Sequence, residues 1–129
     1  MTDRTEELVG RHPTLLSNVY CGLSLPPGWF DLVDTLCFWI DGRKEYGGKV
    51  KVAQIKEKFG GLRFYTDSHD LSDEECAKLF SVIRFAEALS FRICEECGAP
   101  AKRENNGGWL ATLCTVHRRD AGREPSACS

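Results

Sequence analysis

The sequence lacks the features of a membrane protein, an exported protein or a strongly charged protein. It contains no apolar run approaching the roughly 20 residues that a membrane-spanning helix needs. Residues 1–7 are polar and acidic, whereas a signal peptide starts with basic residues and continues with an apolar segment. The formal net charge is only −2, which argues against a dedicated nucleic-acid coat or a membrane-surface protein. We therefore expect a cytoplasmic protein that has no membrane partner.

Catalytic motifs are also missing from the sequence. The pair Gly60-Gly61 is not followed by the Lys-Ser or Lys-Thr of a phosphate-binding loop, and there is no nucleophile elbow. The His-x-Glu and Pro-Cys-x-x-Cys motifs of zinc deaminases do not occur. His12 and His69 stand alone between predicted elements, and we expect both to be solvated. These observations predict a protein that is not an enzyme.

The composition is that of one globular domain with free thiols. Of the 129 residues, 42% are hydrophobic and 28% are charged. Seven cysteines would suit a disulfide-rich secreted scaffold, but no export signal accompanies them. We therefore expect a reducing compartment, with free thiols at the four cysteines outside the motif described next: Cys21, Cys37, Cys76 and Cys128.

Two pairs of potential metal ligands stand out in the C-terminal part of the chain. Two residues separate Cys94 from Cys97, two separate Cys114 from His117, and sixteen lie between the pairs. This spacing lets each pair reach one ion from a tight turn, and Gly98 frees the backbone to make that turn. Three cysteines and one histidine are a typical tetrahedral shell of structural zinc. The pattern predicts a structural Zn²⁺ ion bound by these four residues, with no open position for catalysis.

The segment between the two ligand pairs predicts a second hairpin. Asn-Asn-Gly-Gly at positions 105–108 tolerates positive φ and lies between strand-like segments at 101–104 and 109–113. A knuckle, a hairpin and a ligand pair that opens a predicted helix over 115–123 follow the order of a treble-clef finger. Trp109 is interpreted as a hydrophobic lid on the metal rather than a base-stacking platform. Four basic residues are expected to compensate the negative ligand shell: Lys102, Arg103, Arg118 and Arg119.

Two helices are predicted before the first hairpin. A short helix is expected near residues 6–9, and Pro13 prevents its continuation. From Trp29 onward, apolar residues recur at helical spacing and predict a second helix. Gly42 and the glycines that follow supply stop signals, so this helix should end by about Tyr46.

Residues 49–66 predict a β-hairpin, and a third helix follows it. The turn is placed at Gly60-Gly61, and the alternation of apolar residues breaks near Ala53, which indicates a bulge. Ser72 and Glu75 form a capping-box pattern at the start of a helix that should continue to about residue 90. Its apolar stripe must pack on the hairpin and on the second helix.

The predicted fold class is therefore α+β, with an antiparallel β-hairpin packed by helices and a C-terminal treble-clef-like zinc finger. We expect an α+β core over residues 1–92 and a zinc-finger lobe over 93–120 that is continuous with the core. Residues 121–129 are expected to form a flexible tail.

Charge is distributed unevenly along the chain. Residues 42–63 contain seven bases and two acids, a net charge of +5, whereas residues 1–41 and 64–88 each have a net charge of −4. A solvated strand face balanced by acidic helices accounts for this pattern most simply. A surface that binds an anionic partner is the alternative.

Four motifs resemble a group of small uncharacterised proteins encoded by bacterial, prophage and phage genomes. They are Gly-Trp-Phe at 28–30, Lys-Glu-Lys-Phe-Gly-Gly-Leu-Arg-Phe-Tyr at 56–65, Cys-Glu-Glu-Cys-Gly-Ala-Pro at 94–100 and Gly-Trp-Leu-Ala-Thr-Leu-Cys-Thr-Val-His at 108–117. The resemblance covers most of residues 26–118. It implies a mobile-element origin and no catalytic residue.

Two functional hypotheses follow. The first is a zinc-binding protein that binds a host protein in the host cytoplasm, for example as a phage inhibitor of a host defence system. The second is a nucleic-acid-binding zinc-finger regulator that uses the basic hairpin. We favour the first, because the net charge is negative and acidic segments flank the basic one. The candidate partner-binding residues are the same in both cases: Lys49, Lys51, Lys56, Lys58, Arg63, Trp109, Arg118 and Arg119. The pattern leaves the oligomeric state open.

Overall fold

A computed structural model describes residues 4–19, 22–105 and 107–118. In these ranges the chain has the predicted α+β fold, with two separate antiparallel hairpins, β1–β2 and β3–β4. The elements in chain order are α1 (Thr5–Arg11), α2 (Phe30–Asp41), β1 (Val50–Lys58), β2 (Gly61–Ser68), α3 (Asp73–Ser90), β3 (Lys102–Asn105) and β4 (Leu110–Leu113), with 3₁₀ turns at Pro27–Trp29 and Lys44–Tyr46. None of the helices in the described ranges has the length and apolarity needed to cross a membrane.

The helix predicted from Trp29 ends before Tyr46, as expected. Helix α2 ends at Asp41, and Gly42 follows it as the C-terminal cap. Arg43 then adopts extended backbone angles, and the second 3₁₀ turn brings Tyr46 back into the core, where it is buried. The helix therefore ends at the predicted Gly42 stop signal, because glycine weakens the helix at position 42 and the buried tyrosine requires the chain to turn back.

The first hairpin has the predicted bulge but a shifted turn. Phe59 and Gly60 form the two-residue turn, with positive φ angles of 55° and 82°, and Gly61 already begins β2. A side chain at Gly61 is excluded because a Cβ there would lie 2.4 Å from the Phe91 ring. The bulge predicted near Ala53 is confirmed by a shift of the strand register at that residue.

Both outer edges of this hairpin are covered by other parts of the chain. On the β1 side, the Val52 N–H donates to the Leu15 carbonyl at 2.9 Å. On the β2 side, the Leu62 N–H donates to Ser90 Oγ at 2.8 Å, so helix α3 satisfies the strand with a side chain. Covered edges do not offer a template for pairing with another chain.

Helix α3 begins with the predicted capping box. The Glu75 N–H donates to Ser72 Oγ at 3.0 Å, and the Ser72 N–H donates to Glu75 Oε1 at 2.9 Å. The helix then packs on α2 and β2 and continues to Ser90, as expected. The core lies between these elements, and its fully buried side chains include Trp29, Val33, Ile55, Leu62 and Leu79.

The expectation that His12 is solvated is wrong. Its ring is only 2% exposed, with Nε2 at 2.7 Å from Asp34 Oδ1 and Nδ1 at 2.8 Å from Asp41 Oδ2. Arg11 also donates to both Asp34 carboxylate oxygens, each at 2.9 Å. Because α1 ends at Arg11, the chain turns His12 inward toward two carboxylates of α2. His69, by contrast, is exposed as expected.

Candidate metal centre

The structure brings all four predicted ligands together. Their sulfur and nitrogen ligand atoms all lie within 4.8 Å of one another. The distance from Cys94 Sγ to His117 Nδ1 is 3.7 Å, and the distance from Cys97 Sγ to Cys114 Sγ is also 3.7 Å. Cys114 Sγ lies 3.2 Å from His117 Nδ1. The four ligand atoms therefore form one compact cluster.

These distances fit a four-coordinate metal ion. Metal–sulfur bonds of about 2.3 Å and metal–nitrogen bonds of about 2.0–2.1 Å give tetrahedral edges of about 3.8 Å between sulfurs and about 3.6 Å between sulfur and nitrogen. The 3.7 Å separation of Cys97 and Cys114 excludes a disulfide, whose sulfurs would be about 2.05 Å apart. Cys94, Cys97, Cys114 and His117 can therefore hold a metal ion.

Two tight turns place the ligands. In the first, the Gly98 N–H donates to the Cys94 carbonyl at 3.0 Å, and Gly98 has a positive φ of 85° that a side chain would disfavour. In the second, Cys114 directly follows β4, and its carbonyl accepts from the His117 N–H at 3.1 Å. Each turn thus points its two ligands to one side, as the spacing predicted.

The predicted helix over 115–123 is described only at its beginning. Residues 115–117 form a turn, and Arg118 follows it without regular structure. Residues 119–123 lie outside the described residues, so the helix there stays a prediction. The same holds for the predicted role of Arg119.

The Cys114 sulfur is prepared for metal binding by its surroundings. Its burial opposes ionisation, but hydrogen bonds from the His117 side chain and from backbone N–H groups of the turn lower the pKa of Cys114 to about 6. Thiolates, not thiols, are metal ligands. A cysteine with this pKa therefore loses its proton at neutral pH with little cost.

A chain of hydrogen bonds joins the metal lobe to the core. The Gly28 N–H donates to the Glu95 carbonyl at 2.8 Å. The Glu95 carboxylate in turn accepts from the Thr112 N–H at 2.8 Å. The Thr112 hydroxyl is buried and donates at 2.6 Å to the Gly60 carbonyl in the turn of the first hairpin. A residue within the first ligand pair and a residue just before the second pair are thereby fixed to the core.

No protein-family model, curated protein or solved structure matches this chain. The donor set and its geometry therefore characterise the metal centre without support from a relative.

Trp109 does not cover the metal centre as a buried lid. Its side chain is 67% exposed, because it lies in the loop that connects β3 and β4 rather than on the face of the second hairpin that packs on the core.

Three of the cations predicted to compensate the ligand shell contact other groups of the protein. Arg118 donates to Glu104 at 2.8 Å, Lys102 lies 3.8 Å from the same carboxylate, and Arg103 donates to the Phe59 carbonyl.

The basic residues of the first hairpin share its outer face. Lys56 pairs directly with Arg63 across the strands, on the face opposite to the buried pair Ile55–Phe64. Lys51 lies on the same outer face but donates to the Thr14 carbonyl at 3.0 Å. Two further predicted members flank these residues: Lys49 directly before β1 and Lys58 at its end.

Sequence reasoning missed an apolar groove on the surface between α2 and α3. The groove has a volume of about 310 Å³, and Phe85 at its rim is 69% exposed. This apolar groove is lined by Leu32, Thr35, Leu36, Trp39, Val82, Phe85, Ala86 and Leu89. The sequence feature that indicates the groove is Phe85. It is a large aromatic residue of α3 that lies beside the apolar stripe and is not needed to pack the helix on the core.

Proposed function

We propose that this protein is a non-enzymatic zinc-binding protein that acts by binding another protein. The donor set supports zinc, because three thiolates and an imidazole in tetrahedral arrangement are typical of structural zinc sites. Four protein ligands fill the shell and leave no position for a substrate or an activated water. The ion then has a structural role, which is to hold the lobe that packs against Gly28 and the first hairpin.

The observation that carries protein binding is the apolar groove. A phenylalanine that is 69% exposed beside a wholly apolar depression offers apolar surface for a partner to cover. Buried aromatic anchors provide most of the binding energy at protein interfaces. The groove lies on two helices of the rigid core, so it needs no rearrangement to receive a partner.

The resemblance to phage and prophage proteins supports a role in host–virus interaction. A small protein without a catalytic site acts on a host most directly by occupying a surface of a host protein. We therefore propose that the partner is a bacterial host protein in the host cytoplasm, and that the complex inhibits a host system such as a defence system.

Affinity capture followed by direct titration tests this function. Tagged protein is incubated with nuclease-treated bacterial lysate, alongside a Phe85→Lys variant, and bound proteins are identified by mass spectrometry. A purified partner should bind the wild type with a dissociation constant of about 1 μM or tighter, which corresponds to about −8.2 kcal/mol. Absence of any protein that binds the purified chain at this level would contradict the proposal.

A second candidate function is nucleic-acid binding, and one observation favours it. Lys56 and Arg63 lie directly opposite each other, and like charges in this position are destabilising. No ion pair within the described ranges includes either residue. Tyr65 is 44% exposed on the same outer face, two residues after Arg63. An anionic partner would relieve the repulsion and could stack on the ring.

A further inference from the structure

The walls of the apolar groove determine what kind of backbone can lie in it. All eight lining side chains present only apolar surface to the groove. An extended peptide placed there would bury amide and carbonyl groups without partners, which costs several kcal/mol per group in an apolar environment. An α-helix satisfies its own backbone hydrogen bonds and presents side chains alone. The chemistry of the walls therefore selects a helix.

The length of the depression suits a helix of about two and a half turns. The apolar groove continues into a second depression of about 470 Å³ beside the metal centre, and the two share Leu32, Thr35 and Leu89. Together they extend along α2 from Phe30 to Trp39, which at 1.5 Å per residue is roughly 14 Å. A helix in this position would place apolar residues at i, i+3 or i+4, and i+7 against the walls of the apolar groove.

One end of the apolar groove carries an unpaired cation. The Arg43 guanidinium lies over the Trp39 ring, 4.3 Å from its centroid. Its Nε is buried and has no hydrogen-bond partner among the described residues, and no ion pair within those ranges includes Arg43. The nearby Glu45 carboxylate instead pairs with Lys78 at 3.6 Å. A carboxylate on an incoming chain would give the Arg43 guanidinium an ion-pair partner.

We infer that the occupant is an amphipathic helix of the partner protein. Its apolar face lies between α2 and α3, and an aspartate or glutamate at one end pairs with Arg43. This inference rests on the proposed protein-binding function and adds the chemical class of the partner segment. Nucleic acid is disfavoured in the apolar groove because the lining there presents no polar surface, and a second copy of the chain is an outcome of the test below.

A displayed library of 16-residue peptides on a helix-forming background is the probe. Selection on the full-length, metal-loaded protein should enrich apolar residues at i, i+3 or i+4, and i+7, with an acidic residue at one end. Phe85→Lys should weaken the selected peptide at least tenfold. The matched control is Phe80→Lys, because Phe80 is 45% exposed on the same helix but does not line the groove, and its effect should stay within twofold. Unchanged metal content and circular dichroism establish that both variants fold.

A charge exchange tests the second half of the inference. Arg43→Glu should weaken the acidic peptide at least tenfold, and replacing the peptide's acidic residue with lysine should restore binding. The inference is overturned if no peptide is enriched, if the enriched sequences lack helical spacing, or if Phe85→Lys or Arg43→Glu leaves binding unchanged. A wild-type dimer that Phe85→Lys converts to monomer would also overturn it, since the occupant would then be a second copy. A lysate partner that binds wild type and Phe85→Lys equally refutes this inference but leaves the proposed function standing.

Discussion

Gly28 and Cys94 are in direct backbone contact: a Cβ at position 28 would lie 1.9 Å from the Cys94 carbonyl oxygen. The same Cβ would lie 2.6 Å from the Gly98 nitrogen. Real Cβ atoms do not approach backbone atoms this closely, so only glycine permits the metal lobe to pack on the entrance to α2. The contact explains why a glycine stands between Pro27 and the buried Trp29.

Gly28→Ala is therefore expected to separate the metal lobe from the core. We expect the free energy of unfolding to fall by about 3 kcal/mol, the upper part of the range for overpacking. Gly10→Ala is the matched control, because a Cβ there would have no atom within 4 Å apart from its chain neighbours and the nearby backbone of its own helix. It lies within α1, where alanine should stabilise by about 0.5–1 kcal/mol. Denaturant unfolding of both variants measures the difference, and equal stability of Gly28→Ala and wild type would contradict the contact.

The second prediction concerns the metal. If zinc fills the site as proposed, purified protein should contain about one zinc per chain, and Cys97→Ser or Cys114→Ser should lose it. Structural zinc contributes about 10–16 kcal/mol apparent in small fingers, comparable to the roughly 5–15 kcal/mol stability of a domain. We therefore expect both variants to be insoluble or partly unfolded.

Cys76→Ser controls for the loss of a thiol as such, because Cys76 lies in α3 outside the metal cluster. It should keep the full metal content. Elemental analysis and circular dichroism provide the readout. A folded wild type without bound metal would refute the structural role of zinc.

Local sequence patterns were sufficient for the features that depend on neighbouring residues. The capping box of Ser72 and Glu75 requires residues three apart, and the ligand pairs require residues three apart on one turn. Both were predicted from spacing alone, since a tight turn or a first helical turn leaves little choice of geometry. The predicted position of the hairpin turn was wrong by one residue. Gly61 belongs to β2 and packs on the ring of Phe91, which is distant in sequence, so a local pattern does not reveal this contact.

Features that depend on distant residues were not predictable. His12 is buried only because Asp34 and Asp41 face it, more than twenty residues away along the chain. The apolar groove exists because α2 and α3 pack side by side and leave Phe85 at the rim. Neither feature produces a periodic pattern or a fixed spacing in the sequence, because each depends on how whole helices pack against one another.

The third prediction is that Asp34 makes the stability acid-sensitive. Burial raises the pKa of this carboxyl, but hydrogen bonds from Arg11 and His12 outweigh burial and hold the pKa below its ordinary value of 3.8. A carboxyl with a lowered folded-state pKa stabilises the protein fully at pH values above 3.8. This contribution is lost as the pH falls below 3.8 through the folded-state pKa.

Asp34→Asn should therefore destabilise the protein at neutral pH, by about 3 kcal/mol for a broken buried pair, and should flatten the loss of stability in acid. Asp70→Asn is the control, because that side chain is 83% exposed and its ion pair with His69 contributes little. The test compares the unfolding free energies of wild type and both variants at pH 7 and across the range below pH 4. A variant as acid-sensitive as wild type would exclude Asp34 as the cause.

The fourth prediction concerns the start of α3. Ser72→Ala removes the acceptor of the Glu75 N–H and should lower stability by about 1 kcal/mol. Ser81→Ala, at an exposed position in the middle of the same helix, should instead be neutral or slightly stabilising, because alanine has the higher helix propensity. Metal content should not change in either variant. Thermal unfolding compares the two, and an unchanged melting temperature in Ser72→Ala would mean that the cap does not stabilise the helix.

The last prediction separates protein binding from nucleic-acid binding through the outer face of the first hairpin. Lys56, Lys58 and Arg63 would contact phosphates if this face bound nucleic acid. The affinity should then fall steeply with salt, with a log–log slope of roughly −0.9 per phosphate neutralised on duplex DNA. Changing these three residues to glutamate should abolish such binding.

We expect the opposite result, in which wild-type binding to DNA or RNA at physiological salt is no tighter than the non-specific range of about 10⁻⁴–10⁻⁶ M. The reason is electrostatic: the net charge of the chain is −2, and the segments on both sides of the basic one carry −4 each, so long-range attraction of a polyanion is weak. The triple glutamate variant should then still bind the protein partner, whereas Phe85→Lys should not. Filter binding and titration calorimetry on the same preparations give both readouts. A complex with DNA or RNA tighter than about 10⁻⁶ M that the triple variant loses would reverse the order of the two candidate functions.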